Sequence, residues 1–147
     1  MYDVVERAVR SRPTAVVAAE TTWAAFPSLW KPLLDDVWAA VRSSDATLPG
    51  HNVMLYKDDV PNVEVGVEID GAFSAVGRVV SSALPAGPVA TTLHRGPFEH
   101  VGAAHEAVIE WYDQRELPRT GVRWEIYGHW DEAAPEPQVE VFYLLRR

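Results

Sequence analysis

The stretch LHRGPFEHVGAAHEAVIEWY, residues 93–112, crowds together His94, Glu99, His100, His105 and Glu106. Either these side chains form a metal-binding or catalytic cluster, or they open an ordinary helix. Gly96 stands at a cap position, Pro97 at the first helical residue, where its missing N–H costs nothing, and Glu99 in the first turn against the positive helix end. Phe98, Val101, His105, Val108 and Tyr112 recur at spacings of three and four. That spacing defines an apolar helix face and makes His105 a core histidine. A zinc-binding helix calls for His-Glu-x-x-His, but HEAVI puts Ile109 where the second histidine must stand, and His100 and His105 are five residues apart, off one face. No metal or other cofactor is therefore expected. His94, at a strand end, and His100, in the first turn, have no sequence-local partner and read as solvated surface. The stretch is a helix from Pro97 to about Gln114, entered from the strand GPVATTLHR (87–95).

Working outward, VRWEIYGHW (122–130), the Pro-rich loop DEAAPEP (131–137) and QVEVFYLLR (138–146) complete a strand-helix-strand-strand order. The first half has the same plan. TAVVAAETTW (14–23) reads as a strand; PSLWKPLLDDVWAAVR (27–42) sets Trp30, Leu33, Leu34, Val37, Trp38 and Val41 on one face of a helix; HNVMLYKDD and VEVGVEID are strands divided by the turn DVPN. AVVAAETTWAAF parallels PVATTLHRGPF, VMLYKDD parallels WEIYGHW, and NVEVGVEI parallels QVEVFYLL, so that Tyr56 pairs with Tyr127 and Glu64 with Glu140. DVVERAVRS and GRVVSSALP add an edge strand before each unit. The expected fold is α+β: one domain over 1–147, built from a duplicated module (about 1–73 and 74–147), antiparallel, with helices on one side and the free sheet face as a ligand groove between the halves. The first helix starts at WAAF, without the Gly-Pro of RGPF, which marks its half as the less ligand-engaged one.

Composition narrows the function. The hydrophobic share of 48% in 147 residues suits a globular core, and the net charge of −8 offers no basic face for phosphates. Direct nucleic-acid binding is not expected. No apolar run approaches the ~20 residues that cross a bilayer, and MYDVVERAVR is no signal peptide, so the expectation is a cytoplasmic protein without a membrane partner. Without cysteine there are no disulfides or thiolate sites. Six Trp and five Tyr either fill a core or line a ligand site. Trp30, Trp38 and Trp111 lie in helical patterns and read as core.

The order of HRGPFEHVG opening a helix, AVIEW closing it, then WEIY, a Pro/Glu-rich loop and a terminal VEVFYLL resembles the GyrI-like small-molecule-binding domain, which also serves as the effector-binding part of multidrug-sensing transcription regulators. The resemblance spans essentially the whole chain. It implies paired modules about a pseudo-twofold axis, an aromatic pocket for lipophilic, often cationic, compounds, and here a member without an attached helix-turn-helix.

Alternation along strands then selects residues. Val139, Val141 and Tyr143 share one face and Glu140 and Phe142 the other; if the valines pack under the helices, Glu140 points into the free groove, and it matches the acidic late-strand position of the family. Glu64 and Glu68 project opposite to Val63, Val65 and Val67, while Glu125 shares a face with Tyr127. Glu68 and Glu125 read equally well as exposed strand residues. Tyr56, Tyr127, Phe142, Trp124, Trp23 and Trp130 are the candidate lining residues, with Glu140, Glu64 and Glu125 as acids. A carboxylate in such a pocket favours a flat aromatic cation, with each ring face adding ~0.5–2 kcal/mol. Three functions follow from the resemblance: binding of a hydrophobic or cationic small molecule, for sensing or sequestration in drug resistance; hydrolysis of cyclopropane-bearing electrophiles by Glu140 and Tyr127; and, as a protein-interaction role, inhibition of DNA gyrase, which the evenly spread charge supports least.

Overall fold

A computed structural model describes residues 2–44, 50–128 and 137–146. Its strands are β1 (Val5–Val9), β2 (Arg12–Glu20), β3 (Asn52–Tyr56), β4 (Asn62–Glu68), β5 (Val80–Leu84), β6 (Gly87–Arg95), β7 (Arg119–Tyr127) and β8 (Gln138–Leu145), with helices α1 (Phe26–Arg42) and α2 (Val101–Gln114). All pairings are antiparallel, in the order β1-β6-β8-β7-β3-β4-β2-β5. The α+β class, the duplicated order and the helices on one side of an antiparallel sheet are as the sequence predicts.

The edge strands are exchanged between the halves: β1 pairs with β6 and β5 with β2. That exchange bends the sheet. In a flat sheet β1 and β2 would be six strand spacings apart, about 29 Å, yet only Arg10 and Ser11 join them, a link whose Cα atoms reach at most about 11 Å. The same holds for β5 and β6, joined by Pro85 and Ala86. The pairs Val9↔Gly87 and Arg12↔Leu84 lie in one uninterrupted register. The segments 5–16 and 80–91 therefore form one long ladder that closes the sheet on itself like a flattened barrel.

Closure settles the fate of the helix-free face. Val53, Leu55, Leu84, Val89, Trp124, Ile126 and Phe142 form a buried cluster to which neither helix contributes. Trp124 and Phe142, 2% and 1% exposed, stack at 5.3 Å and 11°. The free face expected to be an open groove is thus the packed interior of the barrel, and these two aromatics are its core rather than lining.

On the outer face α1 packs chiefly on β2 and β4, and α2 on β6 and β8. Leu33, Val37 and Val41 of α1 meet Ala15, Val17, Val63, Val65 and Val67, while Ala104, Val108 and Tyr112 of α2 meet Ala90, Val139 and Val141. Trp30, Trp38 and Trp111 pack partly buried at the margins of these two cores. The central strands β3 and β7 lie side by side between the helices, with Met54 opposite Glu125 and Tyr56 opposite Arg123.

The start of α2 departs from expectation. Pro97 is extended (φ −56°, ψ 138°) and precedes a 3-10 turn, Phe98–His100, before the α-helix begins at Val101. Gly96 adopts φ 119°, a left-handed conformation open to glycine. His94 is not solvated: it is 3% exposed and holds this turn, with Nε2 2.9 Å from the Pro97 carbonyl and Nδ1 2.8 Å from the Tyr2 hydroxyl. The carbonyl can only accept, so Nε2 carries the proton and Nδ1 accepts from Tyr2.

If the Trp124–Phe142 stack is core, Phe142→Ala should cost about 3–5 kcal/mol of stability, read as a lowered urea midpoint with the fold retained. A cost within the range of a surface substitution would mean the interior is open.

Candidate functional site: a carboxylate on the pseudo-twofold axis

The repeat alignment that pairs Tyr56 with Tyr127 also pairs Met54 with Glu125, and the structure sets these last two directly opposite each other on β3 and β7. The local pseudo-twofold axis passes between them. Around it the two halves supply matching aromatics. Tyr56 and Tyr127 each donate a hydroxyl hydrogen bond of 2.8 Å to the same Glu125 Oε1, and each hydroxyl lies 3.8 Å from Met54 Sδ. Phe26 meets Tyr56 edge-on at 5.5 Å, and Phe98 meets Tyr127 edge-on at 5.3 Å. Trp23 leans on Tyr56 at 5.5 Å. Trp23 and Phe98, 46% and 48% exposed, stand at the surface of this cluster.

The symmetry is broken where charge requires it. A second acid at position 54 would face Glu125 across the axis, and two adjacent carboxylates cannot both ionise cheaply. Met54 puts a soft, uncharged acceptor there instead. From α2, His105 Nε2 lies 2.6 Å from Glu125 Oε2, and its Nδ1 lies 2.7 Å from the Tyr143 hydroxyl. A carboxylate only accepts, so Nε2–H donates to it, and in the neutral ring Nδ1 accepts from Tyr143. Glu125, 3% exposed, thus receives three donors. It is neither the exposed strand residue nor His105 the plain core histidine that periodicity suggests.

Burial, reinforced by the adjacent Glu125 charge, pushes the Tyr56 and Tyr127 hydroxyls well above the usual phenol range; burial does the same for Tyr143, with Arg123 partly opposing it. All three stay protonated donors far past neutral pH.

The remaining predicted residues are distributed differently. Tyr56, Tyr127, Trp23 and Glu125 come together on the helix side. Glu140, Glu64, Trp124 and Phe142 face the barrel interior. Glu140 has a side chain 41% exposed that pairs with Arg7 at 3.3 Å, and Arg7 in turn covers the Phe142 ring at 5.6 Å. With Arg12, His51 and Gln138 it lines a cavity of about 210 Å³. Glu140 is opposite Ile126, and Tyr127 is opposite Val139, so Glu140 and Tyr127 project from opposite sheet faces. The pairing of those two residues as an acid and a phenol in one pocket is corrected accordingly. Glu64 is buried and answered by Lys57 at 2.7 Å and Ser82 at 2.7 Å; Glu68 is answered by Arg12 at 3.3 Å and His51 at 3.4 Å. Trp130 and most of the 131–137 loop lie outside the described residues.

Sequence reasoning missed Phe26, Phe98, Met54 and His105. Three of these were within reach, because the alignment of WAAF with RGPF and of VMLY with WEIY already superposes Phe26 on Phe98 and Met54 on Glu125.

Comparison with known proteins agrees with this fold. The GyrI-like small molecule binding domain family matches residues 9–145, and the chain belongs to that family. Its fold is similar to that of the EcmrR C-terminal domain, with TM-score 0.80 and 18% identity over 100% of this chain and 99% of that one. It is similar too to SAV2435 bound to tetraphenylphosphonium, with TM-score 0.71 and 10% identity over 98% and 94%. A hydrolase from Listeria innocua gives TM-score 0.66 and 11% identity over 97% and 91%. No curated protein matches the sequence. The chain is thus a GyrI-like small-molecule-binding domain. No described helix is long and apolar enough to cross a membrane.

The raised tyrosines make a sign-definite prediction. In the unfolded chain each titrates near pH ~10, whereas the folded protein keeps Tyr56, Tyr127 and Tyr143 protonated beyond that. The unfolded state then binds fewer protons, so stability should fall as pH rises above ~10. Urea midpoints between pH 8 and 11 should drop, and less steeply in Tyr56→Phe. A profile flat to pH 11 would contradict the buried phenols.

Proposed function

We propose that this domain binds lipophilic, weakly hydrated cations in the groove between α1 and α2, with Glu125 as the central acid. The observation that carries this reading is the triply hydrogen-bonded Glu125 on the pseudo-twofold axis, under two symmetry-related tyrosines. Three of its roughly four acceptor sites are already engaged by Tyr56, Tyr127 and His105, so it has little need of a ligand's N–H groups. What it offers is negative charge in a poorly solvated place, spread onto two phenol oxygens and framed by aromatic rings. A quaternary or delocalised cation suits that site: it has no donors to satisfy and little hydration to lose, and each ring adds ~0.5–2 kcal/mol. Similarity in fold to the tetraphenylphosphonium complex of SAV2435 supports the same class of ligand.

Sensing or sequestering such compounds in the cytoplasm, as in drug resistance, is the role this binding would serve. Calorimetric titration with tetraphenylphosphonium is the test. Glu125→Gln should weaken binding about 10- to 100-fold, the range of a lost charge interaction of ~1.5–3 kcal/mol. Glu140→Gln should change it less than about twofold. The opposite ranking would return the central role to Glu140.

A second reading rests on the 2.6 Å His105–Glu125 contact. An acid held by an imidazole and flanked by phenols has the parts of a general acid–base site. On that reading the groove hydrolyses strained electrophiles, with Glu125 and Tyr127 in place of Glu140 and Tyr127. A water-added product, seen by mass spectrometry and absent with Glu125→Gln, would establish it; recovery of every compound unchanged would leave binding alone.

A further inference from the structure

The aromatic wall beside Glu125 already holds a cation. Arg123 lies two residues before Glu125 on β7, opposite both Tyr56 and Tyr143, and so on the same sheet face. Its guanidinium carbon sits 5.2 Å from the centre of the Trp23 ring and 6.0 Å from that of Tyr56. Its side chain is 14% exposed, and Nη1 donates to the Gly121 carbonyl at 2.9 Å and to the Asp59 carboxylate at 2.8 Å. The placement is built from several directions. The Trp23 indole N–H donates to the Asp59 carbonyl at 3.2 Å. Asp58 accepts from the Val60 and Asn62 backbone at 3.0 and 2.8 Å, which shapes the β3–β4 turn that presents Asp59.

We infer that Arg123 is the specificity-determining residue of the groove: a resident guanidinium that occupies the Trp23–Tyr56 wall and that a ligand's cation must displace. The inference rests on the binding reading above and deepens it. A flat guanidinium and a flat aromatic cation use the same ring faces for the same electrostatic reason, so they compete. Arg123 also sets a positive charge beside Glu125, which lowers the pull of the site on any incoming cation and leaves a neutral ligand unaffected. The half built on Tyr127 and Phe98 has no such tenant among the described residues: the Tyr127 ring meets Phe98 edge-on. Entry by way of that half, followed by displacement of Arg123 toward Asp59, whose side chain is 89% exposed, gives the groove a threshold. Compounds that cover both walls can replace the guanidinium; small cations cannot.

The experiment compares tetraphenylphosphonium with neutral triphenylphosphine oxide by calorimetry, on the unmodified protein and on Arg123→Met, Arg123→Gln and Arg123→Lys. Loss of the charge in the Met and Gln variants should tighten tetraphenylphosphonium about tenfold, the scale of one cation–π contact, and change the neutral compound less than about twofold. Arg123→Lys, which keeps the charge, should stay within about threefold of the unmodified protein for both compounds. Cation binding that is unchanged or weaker in both neutral variants, or an equal gain for the neutral compound, would overturn the inference. So would loss of the fold in both, which would make Arg123 structural. If the unmodified protein binds the cation through Glu125 while the Arg123 variants gain nothing, this inference alone fails. If no protein in the set binds the cation, the binding reading fails with it.

Discussion

Two links of two residues each, Arg10–Ser11 and Pro85–Ala86, decide this structure. They join strands that a flat sheet would hold far apart, and their shortness leaves closure of the sheet as the solution open to the chain. Closure turns the helix-free face inward, where Trp124, Phe142, Ile126 and Leu55 fill it. On the face with the helices, β3 and β7 form a strip between the strands on which α1 and α2 chiefly pack. Glu125 stands on that strip. The placement of Glu125 is thus a consequence of chain connectivity before it is a matter of side-chain chemistry.

Duplication supplies the rest. Two copies of a strand-helix-strand-strand module, related by an axis between β3 and β7, deliver two tyrosines and two phenylalanines to one point. A strictly symmetric site would have paired acids or none. Substituting methionine at one of the two axial positions keeps a single charge at the centre, and His105 and Arg123, which break the symmetry further, adjust how strongly that charge is felt. The first half contributes Trp23, Phe26 and Tyr56 to this cluster, and the second half Phe98, His105, Glu125 and Tyr127.

Much of the fold was legible in the sequence because it rests on local periodicity. Period-two strands, the helix over 27–42 and the internal repeat are read from neighbouring residues. What was not legible is the exchange of β1 and β5, which depends on pairing between segments some 75 residues apart. That exchange decides which sheet face is open: Trp124 and Phe142 become core, and Glu140, still partly exposed, is paired with Arg7 of β1. The alternation along β8 was read correctly, with Val139 and Val141 under α2 and Glu140 on the other side. Alternation fixes which side chains share a face but does not say whether that face is open. Tyr56, Tyr127 and Trp23 come together around Glu125 on the helix side, a grouping that alternation alone does not give. That Glu125 shares a face with Tyr127 is legible from alternation; its burial, which depends on His105 and the paired tyrosines, is not.

The most direct test of the central claim is a crystal structure of the protein with tetraphenylphosphonium. The account predicts the ligand between α1 and α2, its phenyl rings against Tyr56 and Tyr127, its phosphorus facing Glu125, and the Arg123 side chain moved off Trp23. A ligand seated instead beside Glu140 and Arg12 on the barrel side, with the Tyr56–Glu125–Tyr127 bonds unchanged and untouched, would contradict it.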